Sequence, residues 1–250
     1  MSSKHKIVHL ITNHVTKQFV ADAVTIYGAS PIMSETPEEY AAFYPNVKAL
    51  VINLGMLDEN RKALIKSACQ LANEYKIPIV ADMVGIHFSP YRHLFALGLM
   101  QSFDFAVIKG NCDEVLSLQT GGSKNTFESD TDILPSEAEK DFHRLASSYP
   151  HTAFLATGVV DYLFAGSESI SICGGSTLLK KLSGTGCVLS GLIGAELTLL
   201  APSFNVSDVI RALQKVTSFY KCASERAEFT SNRRIGQFKS DLLSEIEVHI

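Results

Sequence analysis

Short Val- and Ile-rich runs alternate along this chain with longer segments whose apolar positions recur at helical spacing. The short runs, at residues 7–11, 49–54, 78–81, 105–108 and 153–156, predict strands, and residues 159–172 predict a hairpin. Between them, residues 17–27, 58–75, 90–102 and 136–148 predict helices. Thr36-Pro37-Glu38-Glu39 predicts a capping box with proline at the first helical position, and Ser136 to Glu139 repeats the Ser-x-x-Glu pattern. Strands apolar on both faces and separated by helices are the mark of a mainly parallel α/β sheet. From Gly184 onward the pattern is helix after helix, packing on that sheet. The stretch 119–132, rich in Gly, Ser, Asn and Asp, predicts a surface loop. No linker or internal repeat divides the chain, so residues 1–250 are expected to form one domain.

Composition narrows the class of partner. A 46% hydrophobic and 19% charged chain is globular rather than disordered. Its net charge of -4, with no Lys/Arg cluster, speaks against nucleic acid and anionic membranes. The longest apolar run, residues 187–202, is interrupted by Glu196 and falls short of a membrane span. Five cysteines, Cys69, Cys112, Cys173, Cys187 and Cys222, show no zinc-like spacing. With no leader-like segment, they are expected to be reduced thiols in a cytoplasmic protein.

The chemistry concentrates in Ser183-Gly184-Thr185-Gly186-Cys187 and the small, apolar run behind it. Two alternate glycines allow a tight turn and a close approach to an anion, and the run predicts a buried helix. The helix then starts in the turn, with free N–H groups and the positive end of its dipole aimed there. The same field is expected to lower the Cys187 thiol pKa. The turn is neither a nucleotide P-loop nor a dinucleotide fingerprint, since Gly-Lys-Ser/Thr and the third glycine are both absent. In a parallel sheet, ligands bind beyond the carboxyl ends of the strands. There stand Thr12-Asn13, Asn53, Asp82, Lys109-Gly110-Asn111 and Thr157-Gly158, one set after each apolar run. Asp82 and Glu114, at neighbouring strand ends, can organise water and Mg²⁺ around a triphosphate.

Asn111-x-x-Glu114 after a strand, with a Gly-x-Gly turn far downstream, resembles the ribokinase-like small-molecule kinases. Cys187 after the second glycine, where most of those have aspartate, resembles the hydroxyethylthiazole kinase family of thiamine salvage. The likeness continues in order through Ile11-Thr12-Asn13-His14-Val15, Gly28-Ala29-Ser30-Pro31-Ile32-Met33, Asn53-Leu54-Gly55, Asp82-Met83-Val84-Gly85, Lys109-Gly110-Asn111, Thr157-Gly158-Val159-Val160-Asp161, Leu182-Ser183-Gly184-Thr185-Gly186-Cys187 and Ile235-Gly236-Gln237-Phe238. It implies transfer of the ATP γ-phosphoryl group, with Mg²⁺, to the primary alcohol of 4-methyl-5-(2-hydroxyethyl)thiazole. It also implies roles. Met33, Gly184 and Asn13 contact the thiazole substrate. Lys109 and Thr157 contact ATP, and Asp82 and Glu114 organise Mg²⁺. The N–H groups of Gly184, Thr185 and Gly186 form an anion hole, and Cys187 lies against the hydroxyl. The family's trimer, with active sites between subunits, would let Asn13 and Met33 serve a neighbour. Met83 stands where the family usually has proline, and Lys109 where arginine is usual; Cys112 and Thr177 are also unusual at their places. Two other readings stay open from the residues: a cysteine hydrolase pairing Cys187 with His87, His93 or His151, and a non-catalytic sensor of the thiazole or nucleotide. The remaining histidines, His5, His9, His14, His143 and His249, read as surface or structural residues.

Overall fold

The computed structural model describes residues 6–120 and 136–247. His5, His249 and most of the polar stretch 119–132 lie outside the described residues, as does the Ser136 side chain. Strand β1 (Ile7–Ile11) leads through α1 (Lys17–Ile26) to β2 (Ser30–Ile32), and α2 (Pro37–Phe43) to β3 (Val47–Asn53). The pattern continues with α3 (Glu59–Glu74), β4 (Ile79–Asp82), α4 (Pro90–Ser102), β5 (Val107–Asn111), α5 (Cys112–Thr120), α6 (Ser136–Ser148) and β6 (Ala153–Thr157). The hairpin β7 (Asp161–Ala165) and β8 (Glu168–Ile172) follows. A 3₁₀ turn, Thr177–Lys181, then leads into α7 (Thr185–Leu197), α8 (Val206–Thr230) and α9 (Ile235–Ile246).

All eight strands form one sheet in the order β2-β1-β3-β4-β5-β6-β7-β8, parallel from β2 to β6 and antiparallel over the hairpin. The parallel strands are apolar on both faces because both faces are covered. Successive side chains of β3 alternate between the layers: Ala49 and Val51 pack with α1, α7, α8 and α9, while Leu50 and Ile52 pack with α2 to α6. The strong helix signals hold where caps are present. Asp58 and Ser89 each accept the backbone N–H three residues on, and Pro90 opens α4.

The structure adds one strand and corrects one expectation. β2 was not evident in the sequence, because a three-residue edge strand containing Pro31 has almost no periodicity to show. The Thr36 capping box does not form, although Pro37 does open α2. Ser34 takes over the work: its hydroxyl donates to Glu39 at 2.9 Å and accepts the Thr36 N–H. A nearby hydroxyl outside the four-residue motif won the contact.

Candidate active site

Register across the sheet brings the polar strand ends into one line. Asn53 pairs with Asp82, Asp82 with Lys109, and Asn111 with Thr157. Asn13 follows β1 beside them. Above this line lies the start of α7. Twelve of the thirteen residues of α7 are buried, which requires small side chains where it presses on the sheet; a Cβ on Gly194 would strike Val51.

Gly184 caps α7 with φ near +91°, a left-handed conformation that favours glycine, and a Cβ there would collide with Thr16 of the β1–α1 loop. The glycine therefore permits both the turn and the approach of the loop that carries Asn13. The first intrahelical bond runs from Val188 N–H to Gly184 O, leaving the N–H groups of residues 185 to 187 free of intrahelical partners.

Cys187 is buried beneath this turn. Its sulfur lies 3.5 Å from Asn13 Nδ2 and 3.4 Å from Asn53 Nδ2, both amide donors. Burial and the Asp82 charge push the thiol pKa up, against the opposing influence of Lys109. The direction is opposite to the lowering expected from the helix terminus, because desolvation and a neighbouring carboxylate both disfavour the thiolate. His93 is held by the Ser117 carbonyl at 2.8 Å and the His87 ring lies tilted against Phe88, while Cys187 has the two asparagine amides and the Thr16 side chain as hydrogen-bond partners.

Asp82 is held by three donors: Lys109 Nζ at 3.1 Å, Asn53 Nδ2 at 3.0 Å and Ser190 Oγ at 2.8 Å. Lys109 is itself only 4% exposed and also donates to Gly186 O at 3.0 Å. Burial draws its pKa down, but Asp82, Cys187 and Glu114 together raise it, so it is a fixed cation. Sequence reasoning aimed Lys109 at phosphate; the structure seats it between Asp82 and the glycine turn. Met83, where proline is usual in the resembling family, uses its N–H to donate to Lys109 O at 2.8 Å, a bond proline cannot make.

Glu114 has two local tasks. Its Oε2 accepts the Asn111 N–H at 2.7 Å while Asn111 Oδ1 accepts the Glu114 N–H at 2.8 Å, a reciprocal cap on α5. Its Oε1 accepts the Gly85 N–H at 2.7 Å, tying the loop after β4 to α5. Burial raises its pKa and Asp82 adds to that, while the backbone donors oppose. The described donors occupy three of the roughly four lone-pair sites of Asp82 and two of those of Glu114, which leaves each carboxylate an acceptor site that suits a hydrated Mg²⁺.

Beyond β5 and β6 opens a cavity of about 330 Å³, lined among others by Asn111, Thr157, Asp161, Lys180, Gly186 and Lys221. Thr157 donates to Gly110 O at 3.1 Å from its wall. Cys187 and Asn13 stand on the β1 side of the glycine turn and this cavity on the β6 side. Met33 follows β2, half-buried against the same core layer as Cys187. Asn53, Ser190, Asp161 and Lys221 had no role assigned from sequence. Asn53 was marked only as a polar strand end, and Ser190 and Lys221 sit in helices whose pattern says only that they are there.

A mainly parallel sheet with helices on both faces, its polar strand ends lying beneath the start of α7, is the ribokinase-like fold. A ribokinase-like superfamily protein from Enterococcus faecalis shares that fold, with a TM-score of 0.65 at 13% identity over 98% of this chain and 89% of its own. The hydroxyethylthiazole kinase family model matches residues 1–249, and the chain belongs to that family. It is 33% identical to the hydroxyethylthiazole kinase of Staphylococcus carnosus over 93% of this chain and 85% of that one. The structure of the Pyrococcus horikoshii hydroxyethylthiazole kinase superposes with a TM-score of 0.82 at 30% identity, covering 96% of this chain and 87% of its own.

Proposed function

We propose that this chain, acting as one kinase domain, transfers the γ-phosphoryl group of ATP to the primary alcohol of 4-methyl-5-(2-hydroxyethyl)thiazole in thiamine salvage. The carrying observation is the alignment of Asn13, Asn53, Asp82, Lys109 and Thr157 on adjacent strand ends beneath the start of α7. In this reading the nucleotide fills the β5–β6 cavity, in contact with Thr157. The thiazole, with Met33 and Asn13, lies on the other side of the glycine turn. The hydroxyl oxygen forms the new bond to phosphorus as the bond to the ADP bridging oxygen breaks, and the alcohol proton leaves to solvent or base.

Such transfer depends mainly on positioning and on charge stabilisation. The N–H groups of Gly184, Thr185 and Gly186 face the moving phosphoryl with the helix dipole behind them. Asp82 and Glu114 are the residues that would hold Mg²⁺, which neutralises triphosphate charge when bound. Lys109 acts from within: its bond to the Gly186 carbonyl fixes the turn, and its charge reaches phosphate at short range. Cys187, with its thiol protonated at neutral pH, shapes the hydroxyl's place more than it removes the proton.

Assembly as a homotrimer with shared sites fits one further feature. Val15, Met56 and Phe88 are large exposed apolar side chains on the loops after β1, β3 and β4, at 80%, 43% and 80% exposure. Free thiols at Cys69, Cys112, Cys173, Cys187 and Cys222 support a cytoplasmic location. Among the described residues no helix is long and apolar enough to cross a membrane.

Purified protein with ATP, Mg²⁺ and the thiazole alcohol should yield the phosphorylated alcohol by mass spectrometry. Binding of both ligands without product would instead identify a sensor.

A further inference from the structure

Helix α8 carries a polar seam that the proposed chemistry does not use. Lys221, Ser224, Glu225 and Glu228 share one helical face by their spacing. They all grip one short segment, residues 174–176, between β8 and the 3₁₀ turn. Lys221 Nζ donates to Gly174 O at 2.8 Å, and Glu225 Oε1 accepts the Gly175 N–H at 2.7 Å. Ser224 Oγ accepts the Ser176 N–H at 2.9 Å, and Ser176 Oγ donates to Glu228 at 2.6 Å. The segment lies directly on the lysine stem: a Cβ on Gly175 would stand 3.1 Å from Lys221 Cγ.

The same lysine reaches a second loop. Its Nζ donates to Val159 O at 3.0 Å and pairs with Asp161 at 3.4 Å, and Asp161 Oδ1 accepts the Gly158 N–H at 2.9 Å. Neighbouring Tyr220 donates to Thr185 O at 3.0 Å, adding the glycine-turn helix. Lys221 is only 5% exposed, so its charge is costly unless these acceptors stay in place. Both regions it joins contribute to the lining of one cavity: Thr157, Gly158 and Asp161 from the first turn, and Leu179 and Lys180 from the 3₁₀ turn that directly follows residues 174–176.

We propose that the α8 seam centred on Lys221 is a positioning device for the nucleoside triphosphate, setting the spacing between the 157–161 turn and the 174–181 segment. It rests on reading the β5–β6 cavity as the nucleotide site. Lys221 touches no reacting atom, and none of its described bonds reaches Asn13, Asn53 or Cys187, so its effect falls on nucleotide binding and spares the alcohol.

The test combines ADP calorimetry with steady-state kinetics on the full chain. Lys221→Met keeps the stem and removes the charge-assisted bonds; the KM for ATP and the Kd for ADP should rise about tenfold or more. The KM for the alcohol and kcat should stay within about twofold, since the bonds removed make no transition-state contact. Lys221→Arg should restore most of the loss. Exposed Glu225→Ala should give a smaller change of the same kind and decides the matter if Lys221→Met does not fold. Unchanged nucleotide affinity in a folded variant overturns the proposal. So does an equal loss for both substrates that arginine fails to rescue. Thr157→Trp, which fills the cavity, separates the premises. If ADP still binds that variant normally, the cavity is not the nucleotide site. If binding is lost there but intact in Lys221→Met, only the seam proposal fails.

Discussion

At the scale of single residues, the site turns on what burial does to charge. In the proposed reaction Cys187 would stand in the place of a base, yet desolvation and Asp82 hold its thiol above the ordinary range. A general base typically contributes about 10²–10⁴-fold, so Cys187→Ala should lose about 10²-fold or less in kcat. Cys187→Asp should remain active, its carboxylate received by the Asn13 and Asn53 amides that now face sulfur. A folded, ligand-binding but inactive aspartate variant would show that the thiol itself is required. Asp82 and Glu114 lead to the second expectation. Asp82→Asn and Glu114→Gln should each lower turnover on the order of 10²-fold, the scale of losing one electrostatic contact, and raise the Mg²⁺ needed for half-maximal rate. Unchanged Mg²⁺ titrations in both would remove the metal assignment. Asn111-x-x-Glu114 was legible as a motif, but its reciprocal cap on α5 was read only as chemistry. Both uses fit because a carboxylate has more lone pairs than the two backbone donors occupy.

Secondary elements bring in a residue that no motif marked. His9 points from β1 into the α2 layer, fully buried, where its ring bonds Tyr44 Oη at 3.1 Å and Ser34 O at 2.9 Å. It thereby pins the loop that follows β2 and carries Met33. Burial lowers its pKa from 6.5 to about 4, against smaller opposing effects of the Ser34 carbonyl and Glu35. The unfolded chain therefore takes up this proton at higher pH than the folded one. The stability contributed is complete above about pH 6.5 and is lost progressively as pH falls toward 4. Each pKa unit is worth about 1.4 kcal/mol, so the full effect is on the order of 3 kcal/mol. Denaturant unfolding of wild type and His9→Gln, at equal protomer concentration, should show the wild type losing more stability between pH 7.5 and 4.5. Parallel pH profiles would contradict this. The sequence named His9 as surface or structural; the alternation of β1 alone could not say which face it served.

For the molecule as a whole, the exposed apolar side chains bear on assembly. Exposed Val15, Met56 and Phe88 cluster by topology at the carboxyl ends of β1, β3 and β4, beside the alcohol side of the proposed site. Light scattering should give a homotrimer, and diluting the protein through its dissociation range should lower activity with the trimer fraction. A fully active monomer would refute this. Asn13 already contacts Cys187 within one chain, so a neighbour's contribution is expected from the Met33 side.

The order of apolar runs by itself determined the parallel α/β sheet, since only strands covered on both faces need be apolar throughout. Gly184-Thr185-Gly186-Cys187 likewise determined a helix start beneath a tight turn, because backbone sterics act locally. Tertiary structure alone decided the rest. It turned Lys109 inward to Asp82, raised the Cys187 pKa and let Ser34 displace Thr36 at α2. It also placed Lys221, on a helix 60 residues beyond Asp161, between two regions that line one cavity. Each of these depends on which groups meet across long separations and on how much water they lose there, and neither is written in the local pattern.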